Sequence, residues 1–73
     1  MSDRHFEFMV EDAVGNLAIA LTRRERLAEK DALKAVYHSD FYRRLQNPKS
    51  GLYFEPSASL VHLFMKERRA EKV

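Results

Sequence analysis

A chain of 73 residues without a cysteine holds one domain at most, and neither disulfides nor thiolate metal sites can support it. A third of the residues are charged, with both signs interspersed, and the longest apolar stretch, Leu17 to Leu21, falls far below the ~20 residues of a membrane span. The net charge of +2 is uneven: residues 1–22 set four acids against Arg4, net −3, and residues 23–73 set twelve bases against seven acids, net +5.

A core of this size supplies about 3–5 kcal/mol, so ideal helix packing or association has to complete the stability. The start MSDRHFEF lacks an apolar run behind a basic stretch, so no secretory signal is expected. Together with the absence of cysteine, this leads to the expectation of a cytoplasmic protein. The charge asymmetry either orients a partner or marks two ordinary solvated faces.

The first helix is expected from Asp3 to Thr22. At 100° per residue, Phe6, Val10, Ala13, Val14, Leu17, Ala20 and Leu21 share one stripe, the core face. Ser2 or Asp3 suits the cap, and Glu7 suits the positive end of the helix dipole. Phe8, Gly15 and Ile19 fall on the opposite side, with Arg4, Glu11 and Asp12. Two large apolar groups there, with a glycine that costs ~1 kcal/mol of helix propensity between them, resemble a docking stripe. The competing reading packs Phe8 under the C-terminal segment and makes Gly15 a local accident.

Arg23-Arg24-Glu25-Arg26 reads as a charged connector. A second helix is expected from Ala28 to His38, with Ala32, Leu33, Val36 and Tyr37 on one broad side. Ser39 then reads as the N-cap of a short third helix through Gln46, with Phe41, Tyr42 and Leu45 inward and Arg43 and Arg44 outward. Asn47-Pro48-Lys49-Ser50-Gly51 is the clearest break, since proline fixes φ and glycine accepts a positive one. Leu52-Tyr53-Phe54 is expected to be extended, with Leu52 and Phe54 on one side. A last helix, capped by Ser57, is expected to reach Glu71, with Leu60, Val61, Leu63, Phe64 and Met65 apolar and Lys66, Arg68, Arg69 and Lys72 at its end.

Chemistry-bearing patterns are sparse. His5, His38 and His62 are widely spaced, and none forms an i, i+4 pair that a metal site on a helix needs. Glu11 and Asp12 diverge by 100° on a helix. Ser2, Ser39, Ser50, Ser57 and Ser59 read as caps or turn residues, outside any nucleophile elbow. Two glycines, Gly15 and Gly51, do not make a phosphate loop. No catalytic residue, metal or cofactor is therefore expected. The cluster of Tyr37, Phe41, Tyr42, Tyr53, Phe54 and Phe64 reads chiefly as core, with one or two tyrosines at a binding rim.

The second and third helices, joined at His38-Ser39, superficially suggest a helix-turn-helix with Arg43 and Arg44 toward DNA. Against this, the third helix has barely two turns, is largely apolar, and begins with Asp40. A charge of +2 is also small for a DNA-binding domain.

The stretch Ala32-Leu33-Lys34-Ala35-Val36-Tyr37-His38-Ser39-Asp40-Phe41-Tyr42-Arg43-Arg44-Leu45, followed by Pro48-Lys49-Ser50-Gly51-Leu52-Tyr53-Phe54, resembles a family of small bacterial helical proteins of unknown function. Their signature runs ALxxVYxSxxYxxLxxPxTGLYxxSP. Here Ser50 stands in place of the threonine, and Glu55-Pro56-Ser57 reverses the Ser-Pro order. The resemblance covers half to two-thirds of the chain and implies a short helical fold. Some members lie beside toxin-like genes, which implies an antitoxin-like or regulatory role, and no catalytic residues carry over.

The expectation is thus one all-α domain over residues 1–73, of three to four helices with a short turn-rich connection before the last. It is expected to bind another protein, or a second copy of itself, through Phe8, Asp12, Gly15 and Ile19, without membrane contact. The alternative is a DNA-binding regulator acting through Arg43 and Arg44, and a third possibility is a structural subunit without activity of its own.

Overall fold

Among the described residues, the periodicity of apolar side chains becomes four α-helices: α1 (Ser2–Glu25), α2 (Glu29–Tyr37), α3 (Asp40–Leu45) and α4 (Ser57–Glu71). Two 3-10 turns, Pro48–Ser50 and Leu52–Phe54, join α3 to α4. The structure, a computed structural model, describes residues 2–71, and side chains within 5–70. The expected capping by Ser2 or Asp3, the side chain of Arg4 and the position of Lys72 lie outside the described residues. Among those residues there is no strand, and the fold is all-α.

The 24 residues of α1 span about 36 Å at 1.5 Å per residue, which matches the 37 Å long axis of the molecule. Val10, Ala13, Val14, Leu17 and Leu21 are buried as the stripe requires. Phe6 and Ala20 are only half-buried, and Ala18, outside the expected stripe, is buried because α2 packs on that flank. The expected connector is corrected: Arg23, Arg24 and Glu25 continue the helix. The turn comes at Arg26, whose φ of 57° is left-handed. For a residue with a Cβ that conformation costs about 1–2 kcal/mol.

The three residues after Glu25 fold the chain back, and Glu29 and Leu33 of α2 share one hollow with Gly15, Ala18, Thr22 and Arg23 of α1. Ala32 and Val36 are buried, whereas Tyr37, expected inward, is 42% exposed at the last turn. Ser39 does cap α3. Its hydroxyl accepts the Tyr42 N–H at 3.2 Å and donates to the Val36 carbonyl at 2.7 Å, tying the two helices at their joint.

The linker is held by small polar side chains. Asn47 Oδ1 accepts the Lys49 N–H at 3.0 Å, and the Ser50 hydroxyl donates to the Arg44 carbonyl at 2.6 Å. Gly51, at φ 74°, is the left-handed joint between the two turns. Leu52-Tyr53-Phe54 is a 3-10 turn rather than an extended segment. At three residues per turn, Leu52 and Phe54 point ~120° apart instead of the same way. Leu52 is half-buried, and Phe54 is 70% exposed.

Asn16 Nδ2 donates to Ser57 Oγ at 3.2 Å, and Arg68 binds Glu25 through two bonds of 2.8 and 2.9 Å. These ties hold α4 parallel to the second half of α1. One buried cluster joins Leu60 and Phe64 of α4, Phe41 and Leu45 of α3, and Leu17 and Leu21 of α1. Phe41 and Phe64 pack edge-on at 5.6 Å. Among the described residues no polar or charged side chain is buried.

Candidate functional site

With its core face at Leu17 and its flanks taken by α2 and α4, α1 leaves its opposite side uncovered by either helix. Phe8 is 70% exposed and Ile19 52% exposed, and Asp12 between them is also exposed. They lie about 16 Å apart along the helix and within ~20° of each other around it. A Cβ built on Gly15 meets nothing within 4 Å. Phe8 does not pack under the C-terminal segment, and the half of the competing reading that placed it there is overturned by its exposure.

The stripe divides into two lobes. In the first, Phe8, Met9 and Asp12 face Tyr53, Phe54 and Glu55 across a hollow of about 340 Å³. Tyr53 stacks between Phe6, edge-on at 4.7 Å, and Phe54, tilted at 4.2 Å, so Phe54 is propped against a fixed ring. In the second lobe, Gly15 and Ile19 border a hollow of about 360 Å³ with Ala18 and Leu33, rimmed by Thr22 and Arg23.

Ile19 is a ridge, because it also borders a groove of about 740 Å³ between α1 and α4. Ala20, Val61 and Met65 line that groove, and Arg23, Arg24 and Arg69 stand at its end. Its basic end is made by the last turns of two helices that the sequence separates by more than forty positions.

Phe54 is the residue of this surface that the sequence reading placed inward. The available signal was distance along the chain. Gly51 and Pro56 bracket only four residues, which suits turns better than a strand.

Arg43 and Arg44 are exposed on α3. Arg44, however, pairs with Glu67 of α4, and its guanidinium lies 5.6 Å from the centre of the Phe41 ring. The three histidines do not converge: His5 borders the Phe8 hollow, His62 the α1–α4 groove, and His38 a third hollow beside Ser39. Among the described residues no three His, Asp or Glu side chains come together to hold a metal ion, and no helix is long and apolar enough to cross a membrane.

Tyr42 has a perturbed proton affinity. Burial pushes its phenol above the ordinary value of 10.0, and Tyr37, edge-on at 5.0 Å, and Glu11 push it the same way. The bond from Gln46 Nε2, at 3.1 Å, opposes them.

Compared with family models, with curated proteins and with solved structures, the chain finds no match.

Proposed function

We propose that this chain is a non-catalytic protein-binding module that seats an apolar side chain of a partner between Phe8 and Phe54. One observation carries the reading: two phenylalanines, each 70% exposed, border the same hollow. Scattered apolar residues on a surface need no explanation, but paired aromatic rings flanking a concavity match the anchors that dominate protein interfaces. Covering 70% of two rings of ~200 Å² each removes ~280 Å² from water, a gross ~7 kcal/mol. That lies within the range that association costs, so the partner must add contacts around the anchors. Glu55 at the rim favours a partner with a basic residue there.

The absence of catalysis is part of the proposal, supported by an apolar core and by histidines that stand in separate hollows. The resemblance to the small bacterial proteins adds a finer reading, an antitoxin-like or regulatory accessory. A toxin-like gene beside this one would support it. The helix-turn-helix reading has less support, because α3 has six residues and Arg44 is engaged by Glu67.

The test is affinity capture from the native host with the wild-type chain and with Phe8→Asp/Phe54→Asp, followed by mass determination of the complex. Both side chains are exposed, so the variant should keep its helical spectrum. Loss of the captured protein, by ~30-fold or more in affinity per anchor, is expected. Equal capture by the variant would refute the proposal.

A further inference from the structure

We infer that the Gly15–Ile19 lobe is the seam of an antiparallel homodimer, in which α1 packs against α1 of a second copy. This goes beyond the partner reading, since it assigns the other lobe of the face to a different occupant.

This lobe is complementary to a second copy of itself. When two copies of α1 lie antiparallel about a two-fold axis level with Leu17, Gly15 of each stands level with Ile19 of the other. Ile19 is the exposed knob, and Gly15 opens the hollow that has room for it. A glycine in a helix interior is otherwise a cost, and close approach of a second backbone is the use that its missing Cβ permits.

The charges obey the same symmetry. A two-fold axis of this kind keeps each flank of one helix against the same flank of the other. Asp12 and Arg23 both lie on the α4 flank of the stripe, ~40° and ~60° from Phe8. Pairing about Leu17 brings Asp12 of one copy to within ~2 Å, along the axis, of the level of Arg23 in the other. Glu11 and Thr22 match in the same way on the α2 flank. Neither Asp12 nor Arg23 has an ion-pair partner within the chain among the described residues. The two-fold axis makes the Asp12–Arg23 pair twice, so the acidic start and basic end of α1 complement each other.

The seam shares only Met9 and Asp12 with the first lobe. Glu25, the last residue of α1, comes level with Met9 of the other copy, which leaves Phe8 and the hollow toward Phe54 at the edge of the dimer. A seam of one helix pair is small by the standard of stable complexes, so association in the micromolar range is expected.

Sedimentation equilibrium across a concentration series tests this. The wild type should pass from 8.6 kDa toward twice that mass. Ile19→Glu should weaken association at least tenfold with an unchanged helical spectrum. Arg23→Asp should weaken it similarly, by setting acid against Asp12 at both symmetric places, and Asp12→Arg/Arg23→Asp should restore it. Phe8→Asp/Phe54→Asp should leave the dimer intact, so its failure in partner capture is read separately. A wild type that stays at monomer mass to millimolar concentration, a dimer indifferent to Ile19→Glu, or a charge swap without rescue would each overturn the inference.

Discussion

Substituting alanine at Gly15 sets two consequences of one methyl group against each other. Within the folded chain the methyl meets nothing inside 4 Å. The full helix-propensity difference should therefore be gained, about 0.8–1 kcal/mol of added stability. For a domain of this length that raises the melting temperature by roughly 4–8 °C. In the dimer the same methyl occupies the hollow where Ile19 of the second copy seats, and the helices must separate to admit it. Association should weaken at least tenfold. Dimerisation itself stabilises the fold by mass action, so the balance between the two effects depends on concentration. Urea unfolding followed by ellipticity, in solution dilute enough to hold monomer, isolates the first. Sedimentation equilibrium isolates the second. A loss of stability in dilute solution would mean that the space beside Gly15 is not open. A gain in stability with unchanged association would mean that the seam lies elsewhere.

Other consequences are simpler to read. Ser39→Ala removes both the acceptor for the Tyr42 N–H and the donor to Val36, and should lower the urea midpoint by the equivalent of ~1 kcal/mol at an unchanged slope. Tyr42 has a raised pKa, so the folded state prefers its neutral phenol. The stability it contributes is fully present below the unfolded value of 10.0 and is lost as pH rises through the higher folded value. Absorbance at 295 nm should show one of the three tyrosines ionising late, and Tyr42→Phe should flatten the fall in melting temperature above pH 10. For the nucleic-acid alternative, a gel shift at low salt should show no retention of duplex DNA. Retention that falls steeply with salt and disappears in Arg43→Ala/Arg44→Ala would favour the helix-turn-helix instead.

What could be read from the chain was whatever its local chemistry decides. The buried stripe of α1 follows from spacing alone, because a helix of 24 residues repeats its period many times. The Ser39 cap and the Gly51 joint follow from side chains whose hydrogen-bonding or conformational preference is strong at one position. The end of α1 was not legible, because the left-handed turn that closes it uses Arg26 where glycine would be the recognisable signal. Burial of Ala18 depends on which flank α2 takes, which is tertiary information. The outward turn of Phe54 required the choice between a 120° and a 180° step over three residues, and so short a segment has no periodicity to decide it. Of the proposed surface, Phe8, Asp12, Gly15 and Ile19 were legible as a stripe, while its division into two lobes depends on what stands opposite each residue.

The uncovered side of α1 follows from how little chain remains to cover it. α1 runs the full length of the molecule, but α2 reaches only about 13 Å along it and α4 about 22 Å. Both flank the buried stripe and leave the opposite side uncovered. A helix side meant only for water would carry charge at the positions of Phe8 and Ile19, with no glycine between them. This chain instead places Phe8 and Ile19, with Gly15 between them, on the side of α1 that α2 and α4 leave uncovered.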